Sequence, residues 1–170
     1  KNIQSILDYG ILNIDELKKQ NIKYIYNDPE RRDGWDFTVS LSITNKNSYL
    51  YEEFKQRQNL NDKDFVEIKI DPSVLLENKC FFCDTNAANY TFDEYRENTE
   101  KLNTLTFGIA FKAMFKDKVY RHYSNKRGII NRINKKTYET TCSQAEICLI
   151  GNINADKFIN YNELKQLSNG

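Results

Sequence analysis

Apolar and polar positions alternate most regularly over 37–44. Phe37, Val39, Leu41 and Ile43 fall on one side, and Thr38, Ser40, Ser42 and Thr44 on the other. This period of two predicts a half-buried strand. A second strand is predicted over 144–150, where Gln144-Ala145-Glu146 opens the apolar run Ile147-Cys148-Leu149-Ile150. Residues two apart on a strand project to the same side, so Gln144 and Glu146 are expected to form an exposed polar pair at its head. Shorter strands are predicted over 65–70 and 79–83.

Other stretches carry a helical period. Asn2 is placed to cap a short helix whose stripe is Ile3, Ile6 and Leu7, with Gly10 at its end. Asp15 is placed to cap a second short helix running to Gln20. A helix over 47–57 carries an aromatic face of Leu50, Tyr51 and Phe54, and Pro72 opens a short helix ending near Glu77. Helices are also predicted over 92–102 and over 105–115, with Leu105, Ile109 and Met114 toward the core. Gly108 weakens the second of these by about 1 kcal/mol. The stretch 158–167 suits a terminal helix or strand. Asn27-Asp28-Pro29 signals a turn, 59–64 and 86–89 read as loops, and 121–141 is a long polar segment. Helices and strands mix without βα alternation or internal repeat, which points to a single α+β domain over 1–170.

The 170 residues are 39% hydrophobic and 13% aromatic, enough to bury one core. No apolar run approaches the roughly 20 residues of a membrane-spanning helix. The formal net charge of +1 offers no global attraction for nucleic acid. A local patch does. Between 121 and 136 lie Arg121, Lys126, Arg127, Arg132, Lys135 and Lys136 with no acidic residue, and Tyr120, Tyr123 and Tyr138 stand nearby. Cations that track phosphates and rings that stack on bases suit single-stranded nucleic acid. His122, the one histidine, reads as a surface residue. Cys80-x-x-Cys83 has the gap of a zinc knuckle, but Phe81, Phe82, Ile147 and Leu149 mark core strands around the cysteines. The reading is reduced, partly buried thiols in a cytoplasmic protein, with no metal.

Glu146, Arg32 and Ser42 suit one chemistry, cleavage of the nicotinamide–ribose bond of NAD. That bond breaks with oxocarbenium character on the sugar. A carboxylate near the ribose 2′-hydroxyl stabilises the positive sugar, and a guanidinium fixes the pyrophosphate or ribose. A small hydroxyl such as that of Ser42 shapes the cleft without blocking the sugar. Tyr49 or Tyr51 suits stacking on nicotinamide, Asn47 suits its ribose, and Arg57 suits a phosphate.

Fragments in order along nearly the whole chain resemble the DarT family of nucleic-acid ADP-ribosyltransferase toxins. They are 2–12 (Asn2 to Leu12), Arg32-Asp33-Gly34, Val39-Ser40-Leu41-Ser42-Ile43, 83–88 (Cys83 to Ala88), Ala113-Met114-Phe115 and 140–146 (Thr140 to Glu146). The resemblance implies an ADP-ribosyltransferase fold, related to the poly-ADP-ribose polymerases, with two small packed sheets around an NAD cleft and peripheral helices. It implies transfer of ADP-ribose from NAD to a base in single-stranded DNA, and a macrodomain antitoxin, DarG, that removes the mark. It matches Glu146 to the catalytic glutamate and Arg32 to the catalytic arginine, with Arg31 as the other candidate. Asn2 matches an asparagine at the NAD entrance. The histidine that precedes that asparagine in the family has no counterpart, so a few N-terminal residues are expected to be missing.

The basic segment lies where transferases of this fold carry their acceptor loop, so Arg121, Lys126, Arg127 and Arg132 are expected to hold the strand. Gln144 resembles the residue other transferases of this fold use for guanine or amide acceptors, which sets guanine ahead of thymine. The protein is expected to be a monomeric, cytoplasmic toxin that stalls replication or blocks phage. Two alternatives stand: an ADP-ribosyltransferase or NAD glycohydrolase acting on RNA, protein or water, and a non-catalytic module that binds single-stranded nucleic acid.

Overall fold

A computed structural model describes residues 2–24, 33–43, 46–90, 99–106, 114 and 144–169. Helix α1 is Ile3–Tyr9 and α2 is Ile14–Lys19. Strand β1, Thr38–Ser42, leads to α3, Ser48–Gln58. After a 3-10 turn at Asp62–Asp64 come α4, Val74–Glu77, and β2, Cys80–Cys83. A second 3-10 turn at Ala87–Asn89 and α5, Thr99–Thr104, precede β3, Glu146–Ile150. The 3-10 turn Ala155–Lys157 leads to α6, Tyr161–Ser168.

Among the described residues the strands form one antiparallel sheet in the order β1-β3-β2. Central β3 pairs Glu146 with Ser42 on one side and Cys83 on the other, then Cys148 with Ser40 and Phe81. Paired positions share a face. One face therefore carries Ser42, Glu146, Cys83, Ser40, Cys148 and Phe81, and the other carries Leu41, Ile147, Phe82, Val39, Leu149 and Cys80. The second face builds the main core with Leu7 of α1, Val74 and Leu75 of α4, Ile153, Phe158 and Leu164 of α6. Burying a side chain such as Leu149, with no exposed surface, stabilises the fold by about 1.5–3 kcal/mol. The first face carries a smaller core of Trp35, Phe81, Cys83, Ala87, Leu105 and Cys148.

Several elements differ from the expected ones. Strand β1 stops at Ser42, and Phe37 leaves the Val39 face to meet Phe81 edge-on at 6.3 Å. Strand β3 begins at Glu146 because the ladder ends at the Ser42 and Cys83 pairs. Asn13, not Asp15, caps α2: its Oδ1 accepts from the Glu16 N–H at 2.9 Å, and its own N–H donates to Asn152 Oδ1 at 2.9 Å. Asn2 occupies the cap position of α1 but makes no side-chain capping bond there.

Residues 65–70 run extended with only an isolated Ile70–Phe158 bridge. Elsewhere the Asn160 carboxamide takes the place of a neighbouring strand, accepting from Lys69 N–H and donating to Glu67 C=O, each at 2.9 Å. Leu105 lies in a turn rather than in a helix, and its carbonyl accepts from Phe82 N–H at 2.7 Å, which closes the outer edge of β2. The terminal stretch is helical. Ile109, His122 and Cys142, and the greater part of the helices expected over 92–102 and 105–115, lie outside the described residues.

Cys80 and Cys83 stand on opposite faces of the sheet, so the knuckle spacing does not bring their thiols to one point. With Cys148 they are buried free thiols. The Cys83 side chain hydrogen-bonds Cys148, and this bond together with burial holds the Cys148 thiol well above its ordinary range. Such thiols are poor nucleophiles. Iodoacetamide should therefore leave Cys80, Cys83 and Cys148 unmodified in the folded protein and label all three after denaturation, as peptide mass mapping would report. Labelling of Cys83 or Cys148 in the native protein would contradict the packing.

Gly10 ends α1 with φ +78°. A Cβ there would stand 2.3 Å from the Ile153 carbonyl oxygen, which accepts from Ile11 N–H at 2.8 Å. Gly10→Ala should cost about 1–3 kcal/mol in urea unfolding, through backbone strain and loss of that bridge. A change below about 0.5 kcal/mol, the size of an ordinary surface substitution, would contradict it.

Candidate active site

Glu146 is only 8% exposed. It heads the central strand, flanked in register by Ser42 and Cys83. It lines a cleft of about 420 Å³, within the roughly 300–1,000 Å³ of small-molecule sites. Gln144 lines the same cleft from the turn before β3. The expected pair therefore meets in one cavity, although Gln144 is not on the strand and Glu146 is buried.

Helix α3 supplies Tyr49, Leu50, Glu53, Phe54 and Arg57. Their spacing of i, i+1, i+4, i+5 and i+8 is one helical face. Asn47 starts the helix by accepting from Leu50 N–H at 3.2 Å, and Asn59, in the left-handed region at φ 52°, ends it. Arg57 pairs with Glu53 one turn earlier. Tyr51 lies on another face, against Phe65 at 4.9 Å, with its hydroxyl donating to Asp62 at 2.6 Å. The expected grouping of Tyr51 with Phe54 is thus undone: Tyr49 lines the cleft and Tyr51 does not. Asn47 is buried, and its Nδ2 finds no partner among the described residues.

The turn after β2 supplies Asn86, Ala87, Ala88 and Asn89. Asn86 Oδ1 accepts from Ala88 N–H at 2.9 Å. The Tyr90 hydroxyl donates to the Asp84 carboxylate and accepts from Asp84 N–H, closing the turn on itself. Burial and that carboxylate push the Tyr90 phenol well above its usual range.

Strand β1 contributes Ser40, and the segment before it contributes Asp33. Ser42, which sequence reasoning favoured over Ser40, sits beside Glu146 in register but lines a different groove. Asp33 is buried, and its Oδ1 accepts from Trp35 N–H at 3.3 Å. Gly34, at φ 65°, makes that turn possible. Trp35 packs on Phe81 at 5.0 Å, and its carbonyl accepts from the N–H and hydroxyl of Thr38 at 2.9 and 2.8 Å. Sequence reasoning assigned Asp33 no role; its place directly after Arg31-Arg32 in a matched fragment was the available signal. Both Asp33 and Glu146 act electrostatically on the buried Cys148 thiol, each helping to raise it.

A larger cavity of about 700 Å³ lies on the side of Val39, Leu41 and Ile147. It is walled by Val66, Ile68 and Ile70 and contains Ser42 and Lys46. It lacks Glu146, Gln144 and Asp33, so the smaller cleft holds the groups capable of chemistry. Asn2 lines neither cavity. Arg31, Arg32 and the basic residues Arg121, Lys126, Arg127 and Arg132 lie outside the described residues.

No helix of the described residues is long and apolar enough to cross a membrane. No curated protein matches the chain. A family model described as ssDNA thymidine ADP-ribosyltransferase, DarT, matches residues 1–158. That match implies an ADP-ribosyltransferase fold, consistent with the α+β arrangement seen. The chain belongs to the DarT family, NAD-dependent ADP-ribosyltransferases acting on single-stranded DNA.

Proposed function

We propose that Glu146 is the catalytic carboxylate of this transferase and that NAD lies in the cleft between α3, β1 and the turn after β2. One observation carries this reading: a carboxylate only 8% exposed stands at the head of the central strand inside a cleft of about 420 Å³. As the bond from C1′ to the nicotinamide nitrogen breaks, its electron pair leaves with nicotinamide. Glu146, set beside the ribose, stabilises the positive sugar. The acceptor nitrogen then bonds C1′ and sheds its proton.

Arg32, or its neighbour Arg31, anchors NAD; the residue that follows Arg32 in the chain, Asp33, lines the cavity. Tyr49 stacks on nicotinamide. Asn47, two residues from Tyr49, lines neither cavity, and its position gives no support to the ribose role expected for it. Ser40 takes over much of the wall-shaping assigned to Ser42, whose own place is beside Glu146. The position of Asn2 outside the cleft gives no support to an NAD role for it. A second small sheet would complete the expected two-sheet cleft.

The acceptor is a base in single-stranded DNA, held by Arg121, Lys126, Arg127 and Arg132 and read in part by Gln144. Gln144 had favoured guanine, but the family's name specifies thymidine, which makes thymine the first base to test. The family also supports a toxin role. A macrodomain antitoxin and phage defence go with that role, and a monomeric, cytoplasmic protein would serve it.

Incubation with labelled NAD and single-stranded oligonucleotides, each rich in one base, tests the reading. Label should enter the thymidine-rich strand. Glu146→Ala should lower transfer by roughly 10²–10³-fold, about 2.7–4 kcal/mol of transition-state stabilisation. Label on guanine would restore the Gln144 reading. Intact NAD with no label on any strand, or full activity in Glu146→Ala, would overturn the assignment.

A further inference from the structure

The cleft holds a second buried carboxylate whose chemistry the mechanism has not used. Asp33 is 7% exposed, close to the 8% of Glu146, and both line the same cavity. Asp33 is fixed by the turn it forms with Trp35 N–H, and that turn is anchored by Trp35 on Phe81 and by the two bonds from Thr38 to the Trp35 carbonyl. A carboxylate held this firmly in a functional cavity is preorganised, which is what proton transfer at a set position needs.

The reaction has two needs that conflict in one carboxylate. The group beside the ribose must stay anionic while the sugar is positive. The group that accepts the acceptor's proton becomes neutral in doing so. Enzymes acting on glycosidic bonds commonly divide these tasks between two carboxyl groups in different surroundings.

We propose that Asp33 is the general base that takes the proton from the attacking nitrogen of the DNA base, leaving Glu146 to stabilise the sugar. In that step the nitrogen lone pair forms the bond to C1′ of the positive sugar, from which nicotinamide has already departed with the electron pair of the broken bond. The N–H proton passes to the Asp33 carboxylate and from there to water. The inference rests on Glu146 being the carboxylate beside the ribose.

Asp33→Asn tests it, because the amide oxygen still accepts from Trp35 N–H and keeps the turn. Two rates are read with the full chain: ADP-ribose transfer to a thymidine-rich strand, and release of nicotinamide from NAD without DNA. Transfer should fall about 10²–10⁴-fold, the usual worth of a general base, while DNA-independent nicotinamide release and the KM for NAD change by less than about threefold, a minor effect beside a general base's. Formate added to Asp33→Ala should restore part of the transfer, because it supplies a carboxylate in the space vacated. Wild-type transfer by Asp33→Asn would overturn the inference, as would an equal fall in both rates or a raised KM, which would mark a structural or NAD-positioning role. Failure of formate to rescue a folded Asp33→Ala protein would also count against it. Undiminished nicotinamide release by Glu146→Gln would instead overturn the reading of Glu146.

Discussion

A carboxylate buried where the central strand leaves the core governs the arrangement of this molecule. Placing a charged group away from water costs several kcal/mol unless the surroundings are built around it. Here the ladders that β1 and β2 form along β3 both end at Glu146, with Ser42 and Cys83 as its partners. The apolar run Ile147 to Leu149 is locked into the cores on both faces. The strand cannot slip by one residue without sending Ile147 to the cleft face and Glu146 into the main core. Register alone therefore fixes the acid in the cleft.

The elements around Glu146 divide into a rigid scaffold and a polar lining. Helix α3 turns one stripe, from Tyr49 to Arg57, toward the cleft and binds the loop below it with Tyr51 and Lys55 through Asp62. The turn after β2 is closed by Tyr90 and Asp84, and Asp33 is set by Gly34 and Trp35. Carboxylates thus outnumber cations among the described lining residues: Asp33, Glu53 and Glu146 against Arg57, itself paired with Glu53. Of these, Glu146 stands at the head of the central strand, where a carboxylate would stabilise the positive sugar formed as the bond breaks.

Local signals made much of this legible. The alternation of Val39-Ser40-Leu41-Ser42 gave β1, the apolar run gave β3, and Asn47 with its helical period gave α3, because each depends on neighbours in sequence. The family resemblance, carried by the serine strand and the stretch ending at Glu146, agreed with the family match. Long-range contacts hid the rest. The alternating stretch 65–70 is not a ladder strand because the Asn160 side chain occupies part of the edge where a partner would pair. Leu105 gives its carbonyl to β2 and cannot continue a helix. Glu146 reads as solvated at a strand head until α3 and the 86–89 turn close over it. Asp33 has no periodic context at all; it is buried in a turn closed by the Trp35 N–H, with Trp35 packed on Phe81.

The most direct measurement is a crystal structure of the Glu146→Gln protein with NAD bound. The cleft reading predicts a nicotinamide-ribose hydroxyl within hydrogen-bond distance, about 3 Å, of the side-chain amide at position 146, with the nicotinamide ring beside Tyr49. A dinucleotide seated instead in the apolar groove along Ile68 and Ile147, remote from position 146, would contradict it.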